Sequence, residues 1–211
     1  MRIGFDVDGV LASFEKGYAE LIMKTSGRDL FPTNPRPWHP FGEPPTWYWT
    51  QHFGYTNEED AAAWKAIKSD PTFWENLEAL PGAKDLYSAK NLWVPANEIY
   101  FITNRMGIDP KRQTERFLYR KLVVNNPTVL ISEEKGAACK ALHLDCYIDD
   151  KDSNVADAAS ARWLLKGDKP LQPTGRTRVY CLDKPYNQDI NGSDYTRVKT
   201  VREMLEAEGL L

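Results

Sequence analysis

The chain opens Met1-Arg-Ile-Gly-Phe-Asp-Val-Asp-Gly-Val10, and this stretch constrains everything after it. Ile3, Phe5 and Val7 form a short apolar run of β-favouring residues, which predicts a buried strand. Asp6 and Asp8 stand where that strand runs out, and Gly9 lets the chain turn. Leu11, Phe14, Tyr18, Leu21 and Ile22 then recur at helical spacing. Two acidic side chains at the carboxyl end of a buried strand are costly unless a cation sits with them. In an open α/β sheet that same edge is where ligands bind.

The pattern points to phosphoryl transfer. A carboxylate can attack phosphorus and form an acyl phosphate. Because carboxylate and phosphate are both anionic, a divalent cation is needed, and Mg²⁺ suits one or two carboxylates plus the phosphate itself. A second carboxyl group nearby can protonate the leaving oxygen and later deprotonate water. A lone D-x-D can equally be a capped turn, so the remaining residues have to decide.

A length of 211 residues suits one α/β domain with an insertion. The net charge of -3 shows no nucleic-acid footprint, so no polymeric nucleic acid is expected as a partner. Cys139, Cys146 and Cys181 read as three reduced, buried thiols of a cytosol-like compartment, and a cytoplasmic location is the expectation. His39, His52 and His143 are scattered and make no zinc-type cluster. No charged-then-apolar leader opens the chain and no apolar run is long enough for a membrane span.

From Gly27 to Pro45 six prolines crowd together (Pro32, Pro35, Pro37, Pro40, Pro44, Pro45), which predicts irregular structure. Five of the seven tryptophans fall between Trp38 and Trp74, so this region is marked as an aromatic, mainly helical insertion. A helix is expected over 57–67 with Asn57 as its cap, and a shorter one over 71–77. Residues 16–80 are read as a cap domain, and 1–15 with 81–211 as the core. Helices are expected over 83–90, from Asp109-Pro110 onward, over 133–142, over 153–161 with Ser153 as cap, and over 200–208. Strands are expected at 99–102, 129–131, 146–148 and, as the last, 179–182.

Alternating strands and helices imply a Rossmann-like parallel sheet with right-handed crossovers. Parallel strands bring their carboxyl ends to one edge. Asp6, Asp8, Thr103, Lys135, Asp149 and Asp150 each follow an apolar strand, so all are expected to converge there.

Those residues, Asp6-x-Asp8-Gly9-Val10, Thr103, Lys135 and Asp149-Asp150, resemble the four ordered motifs of the haloacid dehalogenase-like phosphatases. In detail the chain resembles the 5′(3′)-deoxyribonucleotidases, through Leu11-Ala-Ser-Phe14, Trp47-Tyr48-Trp49 with Phe53-Gly54, Leu80-Pro-Gly-Ala83 and Tyr147-Ile-Asp-Asp150. The resemblance implies an α/β core with a helical cap inserted after the first strand-helix. It implies Asp6 as nucleophile and Asp8 as general acid/base. Mg²⁺ would be held by Asp6, the main-chain carbonyl of Asp8 and Asp149, with Asp150 in support. Thr103, Asn104 and Lys135 would bind the phosphoryl group, and Phe14, Trp47, Tyr48 and Trp49 the base and sugar. Family members commonly have Thr-Ser where this chain has Thr103-Asn104, and some have a basic residue where it has Glu133.

The leading expectation is a 5′-nucleotidase acting on small (deoxy)nucleoside monophosphates. The alternatives are a phosphatase of another small phosphomonoester, a polynucleotide 3′-phosphatase, and a nucleotide-binding module without turnover. No membrane partner is expected, and a homodimer is allowed.

Overall fold

The computed structural model describes residues 1–31, 44–163, 175–188 and 192–211. Strand β1 (Arg2–Phe5) is followed by helices α1 (Phe14–Ser26), α2 (Trp49–His52), α3 (Asn57–Ser69) and α4 (Phe73–Asn76). A 3₁₀ turn at Pro81–Lys84 leads into α5 (Asp85–Ser88). Strands and helices then alternate: β2 (Glu98–Thr103), α6 (Pro110–Leu122), β3 (Thr128–Ile131), α7 (Lys135–Leu142), β4 (Cys146–Asp149) and α8 (Asp152–Ser160). A short antiparallel pair, β5 (Arg162–Trp163) and β6 (Gly175–Arg176), precedes β7 (Arg178–Leu182), β8 (Tyr195–Val198) and α9 (Val201–Ala207).

The main sheet has six strands in the order β3-β2-β1-β4-β7-β8, all parallel. The order reverses at β1 and β4, which sit side by side with Phe5 opposite Ile148. A crevice opens at such a switch point, beyond the carboxyl ends of the strands. The period-2 alternation sends Ile3, Phe5, Phe101 and Ile148 to one buried face. Ile102, Tyr147, Val179 and Cys181 pack on the other, against Ala138, Cys139 and Val155 of α7 and α8. With both faces covered, these central strands read as near-continuous apolar runs.

The helices between β1 and β2 form an aromatic layer. Phe14, Tyr18 and Trp64 pack with ring centroids 5.3–5.8 Å apart, joining α1 to α3. Helix α4 packs on α6. There Trp74 N donates to Gln113 Oε1 at 2.9 Å, and the buried Glu75 accepts from Arg116 and Arg120 at 3.0 and 3.1 Å. Trp74 Nε1 also donates to Met106 O at 2.9 Å. The loop that follows β2 is therefore fastened to the helices between β1 and β2. Helix α1 runs through the boundary expected at residues 15 and 16.

Several local expectations are corrected. Leu11 is not helical: its N–H donates to Val7 O in the turn that Gly9 opens, and α1 begins at Phe14. The cap of α3 is Thr56, not Asn57. Thr56 Oγ1 accepts from Glu59 N at 3.2 Å and Glu59 Oε2 accepts from Thr56 N at 2.8 Å, a reciprocal capping box. Asp109 precedes Pro110 as expected but makes no side-chain cap. Ser153 lies inside α8, whose cap position is Lys151. The helix expected over 83–90 is shorter, a 3₁₀ turn followed by α5. Strand β7 is not the last, because β8 pairs with it at the sheet edge. Pro32, Pro35, Pro37, Trp38, His39 and Pro40 lie outside the described residues. The three cysteines are free and buried. Among the described residues no helix is long and apolar enough to cross a membrane.

Candidate active site

Three neighbouring strands deliver the site. Asp6 follows β1 and is held in line by its N–H, which donates to Ile148 O at 2.9 Å. Thr103 ends β2, Asp149 ends β4, and Asp150 follows it. Lys135 is the first residue of α7 and reaches under the sheet edge. Its Nζ donates to Asp6 Oδ1 at 2.7 Å and to Ile102 O at 2.6 Å. The two side chains of this ion pair are 2% and 8% exposed, so neither charge is screened by water. Burial by itself would lower Lys135, but Asp6, Asp149 and Asp8 hold it above its ordinary value.

Asp6, Asp149 and Asp150 each present a carboxylate oxygen, and these oxygens lie within 4.8 Å of one another. All three groups are buried, and burial together with their mutual repulsion pushes their carboxyls above the usual range. One lysine cannot neutralise three carboxylates. The cluster therefore holds either protons or a second cation, and its all-oxygen donor set fits a hard divalent ion such as Mg²⁺. Asp149 is fixed by its neighbours: Tyr147 OH donates to Oδ2 at 2.6 Å and Lys151 N to Oδ1 at 2.9 Å. Asn154 Nδ2 adds contacts of 3.2 Å to both oxygens. Asp150 accepts from the Tyr186 hydroxyl.

Gly136 follows Lys135 in α7. Its N–H donates to Asp157 Oδ2 at 2.6 Å, and a Cβ there would come within 2.4 Å of that carboxylate. Only glycine lets Asp157 meet the first turn of α7, which fixes the helix that carries Lys135.

The side chain of Asp8 is not part of the acidic cluster. It turns toward β2, where Thr103 Oγ1 donates to Oδ2 at 3.0 Å and the Arg105 guanidinium binds both oxygens. Arg105 is not among the residues expected at the site. Its position directly after Thr103-Asn104 at a strand end was the available signal.

A cavity of about 510 Å³ opens above these groups. Asp6, Asp8, Thr103, Lys135 and Asp150 form its floor. Phe14, Trp47, Trp64, Trp74 and Met106 form an apolar wall, and Asn104, Glu133, Lys151, Ser153, Asn154 and Asp157 a polar one. Phe14 stands 5.8 Å from Trp64 and stacks on Trp74 at 5.7 Å. Trp47 is half-exposed, meets Tyr186 edge-on at 5.5 Å and carries Lys151 Nζ 4.7 Å over its ring.

The three consecutive aromatics thus divide. Trp47 lines the cavity. Tyr48 and Trp49 do not, and line an adjoining hollow of about 270 Å³ that shares Phe14, Trp47 and Trp64 with it. Tyr48 points largely to solvent, whereas Trp49 is buried against Tyr18 and Phe31. Successive side chains in a tight turn and short helix cannot share one direction. The rings that take their place in the wall are Trp64, one turn after Asp60 on α3, and Trp74 of α4, neither of them expected at the site.

No family model and no curated protein matches the sequence. Among solved structures the chain is similar to a HAD family hydrolase from Deinococcus radiodurans R1 that holds bound phosphate and sodium. The two share 16% identity at a TM-score of 0.54, over 100% of this chain and 96% of that one. It is similar also to YfnB from Bacillus subtilis, bound to magnesium, with 15% identity and a TM-score of 0.55 over 98% and 97% of the two chains. A HAD-superfamily hydrolase, subfamily IA, variant 1, from Geobacter sulfurreducens PCA gives 12% identity and a TM-score of 0.54, over 98% and 95%. At these identities the likeness establishes the fold, and the chain has the haloacid dehalogenase-like α/β fold.

Proposed function

We propose that the chain is a Mg²⁺-dependent phosphomonoesterase, a 5′-nucleotidase that hydrolyses (deoxy)nucleoside monophosphates through an aspartyl-phosphate. The observation that carries this is the buried Lys135–Asp6 pair beside Asp149 and Asp150, at the floor of a cavity walled by four aromatic rings. The phosphate bound by the Deinococcus hydrolase and the magnesium bound by YfnB, on the same fold, support the phosphate and metal parts.

Asp6 and Asp149, with Asp150 in the same cluster and the main-chain carbonyl of Asp8 as the further expected ligand, would hold Mg²⁺, which would offset the repulsion between the attacking carboxylate and the phosphate. Lys135 and Asn104, just past the end of β2, bind the phosphoryl oxygens, while the hydroxyl of Thr103 donates to Asp8 instead. An Asp6 oxygen bonds to phosphorus as the ester P–O bond breaks, and Asp8 gives its proton to the departing nucleoside oxygen. Water then attacks phosphorus, its proton returns to Asp8, and phosphate leaves with Asp6 restored. The ring faces of Phe14, Trp47, Trp64 and Trp74 suit a planar base, since a sugar phosphate would need polar partners there.

A phosphate-release screen over nucleoside monophosphates, sugar phosphates and a 3′-phosphorylated oligonucleotide, with Mg²⁺ and with EDTA, tests the reading. Release from nucleoside monophosphates above all others, stopped by EDTA and restored by Mg²⁺, is expected. Preference for sugar phosphates would leave a phosphatase of another class, and full activity in EDTA would overturn the mechanism.

A further inference from the structure

Among the described residues, the reaction above leaves one fully buried charged side chain without a task. Arg105 is 1% exposed. Its guanidinium lies against Trp74 and Phe117, 5.0 and 5.5 Å from the ring centroids. Nη1 donates to Thr114 Oγ1 at 3.0 Å. The remaining edge of the fork meets Asp8, with Nη2 to Oδ1 at 2.7 Å and Nε to Oδ2 at 3.0 Å. Two rings and a hydroxyl fix the guanidinium before Asp8 is considered. A planar fork held this way dictates both the position and the plane of the carboxylate it binds.

We propose that Arg105 is the positioning residue for Asp8: it holds the carboxyl group where a leaving oxygen can receive its proton, and couples that placement to the aromatic wall. Trp74 makes the coupling, because it lines the cavity and packs on the guanidinium. Thr103 adds a further contact to the same carboxylate. Arg105 itself neither exchanges a proton nor touches the substrate, since its fork is taken up by Asp8 and Thr114. Direct binding of the phosphoryl group would require Asp8 to give up the pair. The proposal rests on the phosphomonoesterase reading.

The test compares two leaving groups. A nucleoside 5′-monophosphate must have its departing alkoxide protonated, whereas p-nitrophenyl phosphate releases a stable phenolate that needs no acid. The constant to follow is kcat/KM, which covers only the steps up to departure of the leaving group. Asp8→Asn marks the full effect of losing the acid. Arg105→Lys keeps the charge but loses the planar fork. It is expected to shift the ratio of the two kcat/KM values against the nucleotide by about 10- to 100-fold, within the range of a general acid. Competitive inhibition by inorganic phosphate should stay within about threefold, because no phosphate contact is lost. Thr114→Val, which keeps the charge pair, should shift the ratio the same way by a smaller factor, and it carries the test if Arg105→Lys does not fold. An equal loss on both substrates, or weakened phosphate inhibition, would make Arg105 a phosphoryl ligand and overturn the proposal. A wild-type ratio in both variants while Asp8→Asn shifts it would also overturn it and leave the enzymatic reading intact. A parent enzyme that cleaves neither substrate would instead remove the reading itself.

Discussion

A Cβ built on Gly9 would stand 2.2 Å from Oδ2 of Asp150, on a backbone whose φ is +81°. The turn after β1 and the acid after β4 therefore interlock, with no room for a side chain between them. Gly9→Ala meets both a strained backbone and a carboxylate that must move. We expect it to cost about 1–3 kcal/mol of stability, the scale of one residue in a disfavoured backbone region. It should also weaken Mg²⁺ binding, because Asp150 leaves the cluster. Thermal unfolding with and without Mg²⁺ reads both effects, and a variant that binds Mg²⁺ like the parent would disprove the interlock.

Asp6→Asn keeps shape and volume but cannot form the acyl phosphate. It also removes one charge from an overcrowded cluster, and Lys135 keeps its contact to Ile102 O. Turnover should fall below about 10⁻³ of the parent, as when other enzymes lose their nucleophile, with the circular dichroism spectrum unchanged. A rate near a tenth of the parent, in material free of other phosphatases, would reassign the nucleophile.

The acidic cluster makes metal binding and pH interdependent. In the folded, metal-free protein Asp6 and Asp150 are raised to about 8 and Asp149 to about 6, chiefly by burial. The folded state thus keeps protons that the unfolded chain has released near pH 4. Stability from these groups is present at low pH and lost as pH rises through the folded values. Mg²⁺ takes the place of those protons, so the Tm gain on adding it should grow between about pH 5.5 and 8. Calorimetry across that range checks the sign. A gain that is flat or shrinks with pH would argue against these carboxylates as the ligands.

What the sequence made legible was local. Ile3, Phe5 and Val7 alternate with period 2 and announce a strand, and Asp6 to Gly9 mark its end within four residues. Thr103, Lys135 and Asp149 were found the same way, each next to an apolar run. The Thr56–Glu59 capping box was also legible, although the cap was read one residue late. Strand β8 escaped because Tyr195-Thr-Arg-Val198 is an edge strand, only partly buried and with no clean alternation. The Arg105–Asp8 pair joins residues 97 apart, and nothing in a local pattern tells a buried guanidinium from a surface one. Of the four aromatics expected against the base and sugar, Phe14 and Trp47 line the cavity and Tyr48 and Trp49 the adjoining hollow, while Trp64 and Trp74 carried no local signal. Which ring faces the cavity depends on how α1, α3 and α4 pack, and spacing along the chain does not carry that information.

That division of the aromatics can be tested residue by residue. Trp47 lines the cavity and is half-exposed, Tyr48 is 75% exposed, and Trp49 is 7% exposed within the aromatic layer. Stacking on a base contributes about 1–3 kcal/mol by alanine substitution. Trp47→Ala should therefore raise KM for a nucleoside monophosphate by about 10- to 100-fold, at ~1.4 kcal/mol per factor of ten. The same change should leave KM for a ringless phosphomonoester such as glycerol phosphate within about threefold, because that substrate presents no face to stack. Tyr48→Ala touches neither the floor nor the wall and should leave both substrates alone. Trp49→Ala should act on stability, costing about 3–5 kcal/mol as a buried aromatic lost from a packed core. Its kinetics should follow the fraction of protein that remains folded. If Trp47→Ala slows both substrates alike, the ring only supports the cavity and the nucleotide reading loses its base contact. If Tyr48→Ala raises KM for the nucleotide alone, the base lies in the adjoining hollow, beyond Trp47, and the wall formed by Trp64 and Trp74 holds something else.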